Sequence, residues 1–188
     1  MSGRFIAIVG PSGVGKDSVM QALAARDPRL GLARRVITRP GDAGGEEFDG
    51  VTEAAFEAQE TAGVFALSWR AHGLCYAIPA TVDAVLAAGR DVMGNLSRSV
   101  LIAAQARFAR IEVIALSADH ATLAARLVRR GRETDAEITR RLERATFTLP
   151  QGVKAHVVEN NGVLDDCVAA ILTHLYPGAM ACNTGTDK

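Results

Sequence analysis

An α/β fold, a parallel sheet core covered by helices, is predicted by three features of this 188-residue chain. Strand-like apolar runs alternate with segments of helical periodicity, as in sheets wrapped by crossover helices. The first apolar run feeds a glycine-rich loop that opens directly into a helical pattern. Composition is that of a compact protein: 48% hydrophobic and 22% charged residues provide a core and exclude general disorder.

The elements follow in order. Residues 4–9, Arg-Phe-Ile-Ala-Ile-Val, are a continuous apolar run after the first residue, the mark of a strand buried on both faces. A helical pattern over 15–26 begins inside the loop that follows. Further strands are predicted at 34–37, 91–94, 111–116 and 155–158, and further helices at 98–108, 120–129, 135–146 and 164–175. In the last helix Leu164, Val168, Ile171, Leu172 and Leu175 share a face that belongs against the sheet, and Pro177 and Gly178 stop it. Residues 38–50 are rich in Gly, Asp and Glu and lead into a mixed region ending near 88. One domain over 1–178 is expected, with 179–188, small and polar, as a mobile tail.

The loop is Gly10, Pro11, Ser12, Gly13, Val14, Gly15, Lys16, Asp17 and Ser18. It matches the phosphate-binding pattern G-x-x-x-x-G-K-[ST] in all but its last letter, in the strand–loop–helix setting that the pattern requires. Glycines let backbone N–H groups turn inward around phosphates, the helix N-terminus adds partial positive charge, and Lys16 reaches the outer phosphates. A nucleoside triphosphate is the expected ligand. The last position should carry a hydroxyl for Mg²⁺, but Asp17 stands there and the hydroxyl comes one place late, at Ser18. Asp17 is either a Mg²⁺-supporting carboxylate moved into the loop or an acid that stabilises the helix end.

Other classes are excluded or left open by composition. Lys plus Arg and Asp plus Glu are 21 each, so no global basic field exists to hold a nucleic acid duplex. No apolar run reaches the roughly 20 residues of a membrane span, and the immediate entry into a strand leaves no room for a signal peptide. Cys75, Cys167 and Cys182 are odd in number and show no metal-ligand spacing, so a reducing cytoplasm is expected. Arg126, Arg129, Arg130, Arg132, Arg140, Arg141 and Arg144 crowd the segment 126–146. They read either as a solvated face paired with Glu133, Asp135, Glu137 and Glu143, or as a lid closing on phosphates. His72 is a turn residue or a sugar contact, Trp69 a core residue or a stacking platform, and Glu46 a loop cap or a ribose ligand.

Taken together, these motifs resemble the guanylate-kinase group of nucleoside monophosphate kinases over nearly the whole chain. Gly10-Pro11-Ser12-Gly13-x-Gly15-Lys16 is that group's loop. Ile37-Thr38-Arg39-Pro40 with Gly45-Glu46, and Gly63-Val64-Phe65 with His72-Gly73-x-x-Tyr76, resemble its acceptor segments. Arg126-Leu127-x-x-Arg130-Gly131 with Ile138-x-x-Arg141-Leu142 resembles its lid. The resemblance implies a three-layer P-loop kinase fold with an acceptor-binding insert at about 38–88 and an arginine-rich lid at about 126–146. It implies ATP and Mg²⁺ as cofactors, Arg130 and Arg141 on the phosphates, and Asn160 near the nucleotide base. The departures matter more. Leu67 and Ile78 stand where a guanylate kinase carries a carboxylate and a hydroxyl for guanine, Phe48 replaces a phenol, and Asp42 replaces a second arginine.

With those departures the chain is similar to the ribose 1,5-bisphosphate phosphokinases of phosphonate degradation, whose loop carries Gly-Lys-Asp as Gly15-Lys16-Asp17 does. Val36-Ile37-Thr38-Arg39-Pro40, Ala43-Gly44-Gly45-Glu46, Ala71-His72-Gly73-Leu74-x-Tyr76-x-Ile78-Pro79, Asn95-x-Ser97-Arg98 and Arg130-Gly131-Arg132-Glu133 carry that likeness. Ala77, Leu96 and Phe48 differ from the Gly, Gly and His expected of the family. The likeness implies transfer of the γ-phosphoryl of ATP to ribose 1,5-bisphosphate. Lys16, Arg130 and Arg141 would stabilise the migrating group, and Thr38, Arg39, Glu46, Tyr76 and Arg98 would hold the acceptor. The rival readings are a nucleoside monophosphate kinase for a base other than guanine, and a scaffold module that has lost catalysis.

Overall fold

The computed structural model describes residues 2–40, 47–130 and 148–178, with the side chain of Arg130 excepted. Glu46, Arg141, the predicted helix 135–146, the lid beyond Arg130 and the tail 179–188 lie outside the described residues.

The core is a five-stranded parallel sheet in the order β2-β7-β1-β8-β9. β1 (Phe5–Val9) is central and wholly buried, as its unbroken apolar run predicts. β7 (Asp91–Asn95) and β2 (Leu30–Leu32) lie on one side of it, β8 (Ile111–Ser117) and β9 (His156–Glu159) on the other. The strands' period of two divides β1 between two apolar layers. Ile6 and Ile8 pack with α1 (Lys16–Arg26) and the C-terminal α6 (Leu164–Leu175) through Val19, Leu23, Val168 and Ile171. Phe5, Ala7 and Val9 face α4 (Leu101–Arg107) and a second sheet. Helix, sheet and helix-plus-insert make the three predicted layers.

The second sheet is the insert. Its order is β4-β3-β6-β5: β3 (Arg35–Ile37) is parallel to β4 (Phe48–Gly50) and antiparallel to β6 (Leu74–Pro79), which pairs antiparallel with β5 (Phe65–Ala71). The β5–β6 hairpin turns at His72 (φ 54) and Gly73 (φ 74), the two consecutive positive φ values of a tight hairpin turn. His72 is therefore a turn residue. α2 (Glu53–Thr61) starts at Thr52, whose hydroxyl accepts from Ala55 N at 3.2 Å, and buries Phe56 against Val36, Cys75 and Ala77. α3 (Val82–Ala87) returns the chain to β7.

The predicted core elements agree with the structure to within a residue or two and α6 has its predicted bounds, whereas the edge strand β2 has no counterpart among the predicted strands. One difference lies at 98–108, where a 3₁₀ turn at Arg98–Val100 precedes α4. α5 (His120–Arg130) completes the described helices. No helix among the described residues is long and apolar enough to cross a membrane.

An ionic network at the far end of the sheet ties the first and last elements together. Asp91 accepts from Arg4 N (2.7 Å), Arg4 Nε (3.1 Å), Arg4 Nη2 (2.7 Å) and the Tyr176 hydroxyl (2.7 Å). Burial alone would raise the Asp91 pKa, but the Arg4 and Tyr176 bonds outweigh it and hold the carboxyl below its ordinary value. Burial and then the bond to Asp91 push the Tyr176 phenol up to about 12. A depressed carboxyl contributes stability above its unfolded pKa of about 3.9 and loses it as pH falls through the folded value. Asp91→Asn is therefore expected to cost about 1–3 kcal/mol at neutral pH. Its melting temperature should approach that of the parent as pH is lowered below about 4. A gap of constant size from pH 7 downward, in a thermal-melt series, would contradict this assignment.

Candidate active site

The chain runs from β1 out to β2, returns to β7, then crosses β1 to reach β8. Strand order reverses beside β1, and ligands of open parallel sheets bind outside the strands' carboxyl ends at such a point. The glycine-rich loop leaves β1 there, Asn95 ends β7 there, and Asn160 follows β9 there.

Backbone geometry explains the loop's glycines at two positions. At Gly10 (φ 155) an added Cβ would lie 2.6 Å from the Leu116 carbonyl oxygen; at Gly15 (φ 93) it would lie 2.9 Å from Asn160 Nδ2. Gly15 is also the N-cap of α1 and has no side chain to satisfy the N–H groups of the first turn. Those groups, with the helix dipole, are suited to an anion. Val14 is fully buried and anchors the loop from below; its carbonyl accepts from Asn160 Nδ2 (2.8 Å) and Arg126 Nη1 (3.3 Å). Lys16 Nζ donates to the carbonyls of Gly10 (2.9 Å) and Pro11 (3.2 Å), which sets its ammonium over the loop.

The odd letter of the motif has a definite partner. Asp17 Oδ1 accepts from Asn95 Nδ2 at 2.9 Å, so a carboxylate in the loop meets an amide at the end of β7. The residue at which the loop departs from its pattern thus meets the last residue of β7. They are a matched pair.

Asn160, expected near a nucleotide base, is 4% exposed; its side chain braces Val14 and its N–H bonds the Ser117 carbonyl at 2.8 Å. Among the residues expected to hold an acceptor, Thr38 Oγ1 accepts from Cys75 N at 2.8 Å and extends the β3–β6 ladder; the hydroxyl retains its hydrogen to donate. Arg39 stands 4.3 Å over the ring of Phe48, an aromatic rest for its guanidinium. Tyr76 stacks on Trp69 with ring centroids 5.5 Å apart, and Trp69 is buried in the layer above the sheet. Arg98 opens the 3₁₀ turn after β7 and is partly buried. Arg130 ends α5, a helix whose Leu127 and Leu123 lie over Gly13.

Two further arginines join the site, Arg126 from the predicted lid motif and Arg35, which the motifs did not include. Arg126 reaches the loop from α5. Arg35, buried on β3, donates from Nη1 to the Asn95 carbonyl at 3.0 Å and lies near the rings of Tyr76 (5.2 Å) and Trp69 (5.9 Å). A signal for Arg35 was present: in strand 34–37 it shares a face with Ile37, so an arginine occupies an inward position.

Among solved structures, the guanylate kinase from Anaplasma phagocytophilum matches with a TM-score of 0.65 at 15% identity, over 96% of this chain and 88% of that one. A gluconokinase from Sinorhizobium meliloti 1021 gives a TM-score of 0.52 at 18% identity, over 95% and 98%. Fold and loop together define a P-loop protein of the guanylate-kinase-like class. No family model matches the chain. The ribose 1,5-bisphosphate phosphokinase PhnN of Ruegeria sp. is 51% identical over 167 residues, 88% of this chain and 88% of that protein. The protein of the same name from Pseudomonas paraeruginosa is 45% identical over 187 residues, 97% and 100%. The chain belongs to the ribose 1,5-bisphosphate phosphokinase family.

Proposed function

We propose that this chain transfers the γ-phosphoryl group of ATP to the 1-phosphate of ribose 1,5-bisphosphate, giving 5-phosphoribosyl 1-diphosphate and ADP within phosphonate breakdown in the cytoplasm. The observation that carries the reading is kinship at 51% identity over 88% of the chain with a protein of that name. The second sheet adds to it: Leu67 and Ile78 are cross-strand partners, 8% and 0% exposed, and neither side chain can hydrogen-bond a guanine.

The chemistry needs little covalent help. An oxygen of the 1-phosphate, already ionised at neutral pH, attacks the γ-phosphorus; the bond to the bridging oxygen breaks, and ADP leaves with that electron pair. No proton is removed, so no general base is required. Catalysis then rests on positioning and charge. The loop from Gly10 to Ser18 holds the triphosphate, Lys16 meets the migrating group, and Asn160 braces the loop. Arg130 and Arg141 close over the phosphates, while Thr38, Arg39, Glu46, Tyr76 and Arg98 receive the acceptor. In this reading residues 1–178 work as one domain, with 38–88 as insert and 126–146 as lid.

Asp17 offers a hard oxygen beside the loop, oriented by Asn95, and fits a cation that takes one or two carboxylates and keeps its waters. Asp17 and Ser18 would hold Mg²⁺ there, and the cation would supply neutralisation of phosphate charge. Asp17→Asn keeps the shape and removes the charge, and the Mg²⁺ concentration for half-maximal rate should then rise severalfold with little change in melting temperature. An unchanged Mg²⁺ requirement with a lowered melting temperature would make Asp17 a helix-end acid, a role worth about 0.3–1 kcal/mol. The function itself is tested by coupled ADP release with ribose 1,5-bisphosphate, GMP and AMP as acceptors. Turnover should be confined to the bisphosphate, and a nucleotide as the better acceptor would overturn the reading.

A further inference from the structure

β7 delivers one polar side chain to the first turn of α1. Met93 packs in the layer that holds α1 and α6, and Val92 packs on the opposite side of the sheet. Side chains of a strand alternate, so Asn95, two residues beyond Met93, lies on the α1 side. There it meets Asp17, whose Oδ1 accepts from its Nδ2 at 2.9 Å. Asn95 is 7% exposed, and its backbone is fixed on both sides. It lies opposite Ile8 in β1, and the N–H of the next residue, Leu96, donates to the Ile8 carbonyl at 3.1 Å. Its own carbonyl accepts from Arg35 Nη1 at 3.0 Å. Asp17 is partly buried, and among the described residues its carboxylate has one hydrogen-bonding partner, Asn95, and no ion pair.

From this geometry we infer that Asn95 is the positioning residue for Asp17, holding the carboxylate in the orientation and charge that a loop-bound Mg²⁺ requires. The inference rests on the reading of Asp17 as a support for that cation. Facing a carboxylate, an amide presents its nitrogen, and one N–H···O bond to Oδ1 leaves Oδ2 without a partner among the described residues. A carboxylate at position 95 would put a second negative charge into the same contact, and one of the two would then take up a proton. An aliphatic side chain there would leave Asp17 to rotate among its staggered wells. An amide orients the acid and adds no charge. The donor is rigid because strand pairing and the bond from Arg35 fix the Asn95 backbone, so the acid on the helix takes its direction from the sheet. Partners of metal ligands act in this way, orienting the ligand without touching the cation.

The test is a double-mutant cycle on the full-length protein, read by nucleotide binding with no acceptor present. Calorimetry gives the Kd for AMP-PNP, a non-hydrolysable ATP analogue, in saturating Mg²⁺ and in EDTA, and the ratio of the two measures what the cation adds. Asn95→Ala should lower that ratio roughly 10-fold to 100-fold, the scale for removing the partner of a metal ligand, with the Kd in EDTA within about twofold of the parent. In an Asp17→Asn background the same substitution should change the ratio by less than about twofold, because Asn95 acts through the carboxylate. Asn95→Leu, close to asparagine in shape but without the donor, should repeat the Asn95→Ala result, and it decides if Asn95→Ala does not fold. Equal weakening in Mg²⁺ and in EDTA, or equal losses in the two backgrounds, would overturn the inference and make Asn95 a tie between strand and helix. If Asp17→Asn lowers the ratio and Asn95→Ala leaves it unchanged, the inference alone fails. A ratio unaffected by Asp17→Asn sinks the metal reading of Asp17 and this inference with it. None of these outcomes depends on which acceptor the protein phosphorylates.

Discussion

Lys16→Ala is expected to lower kcat by roughly 10²–10³-fold or more, the loss seen when one donor to developing charge is removed. The protein should fold as before. Lys16 contributes two hydrogen bonds to the loop, to the carbonyls of Gly10 and Pro11, whereas the loop is anchored independently by the buried Val14 and its bonds from Asn160 and Arg126. The ammonium matters most where charge builds on the migrating phosphoryl group, so the effect should fall on kcat more than on the KM for ATP. Turnover within tenfold of the parent, at an unchanged melting temperature, would remove Lys16 from the chemistry.

A preference for ribose 1,5-bisphosphate over GMP is the second large effect. A site that recognises guanine satisfies its donors and acceptors, and each polar group left unmatched in a buried slot costs about 1–3 kcal/mol. Leu67 and Ile78 are paired across β5 and β6, buried, and incapable of hydrogen bonding. Two such losses correspond to roughly 30-fold to 10⁴-fold in kcat/KM. The bisphosphate should exceed GMP by at least that margin, since it also gains cationic contacts that a base does not use. Equal values for the two acceptors, from initial rates under the same ATP and salt, would contradict the role given to Leu67 and Ile78.

The parallel core was legible because its strands obey simple rules. The run 4–9 is continuous and apolar where a central strand is buried on both faces, and the apolar stripe of α6 repeats at helical spacing. The insert was much less so. β4 has three residues, too few for alternation to register, and so does β2 at the edge of the core sheet, where Leu30-Gly31-Leu32 carries a glycine that argues against a strand. α2 has a single buried residue, Phe56, so no apolar stripe announces it. The loop was readable letter by letter because a phosphate cradle tolerates few alternatives. The pairing of Asp17 with Asn95 was not, since a contact between residues 78 apart in sequence depends on β7 lying beside β1. Arg35 was visible only as an arginine at an inward position of a strand, and its bond to the Asn95 carbonyl depends on β3 lying near the end of β7.

The central claim is that the chain adds a phosphoryl group to a sugar phosphate rather than to a nucleotide. Phosphorus NMR of a reaction containing the protein, Mg²⁺, ATP and ribose 1,5-bisphosphate tests it most directly. The account predicts that the 1-phosphate signal is replaced by two mutually coupled diphosphate signals, that the 5-phosphate signal persists, and that ADP forms in equal amount. Loss of ATP to free orthophosphate alone, or an unchanged bisphosphate beside an active nucleotide acceptor, would contradict it.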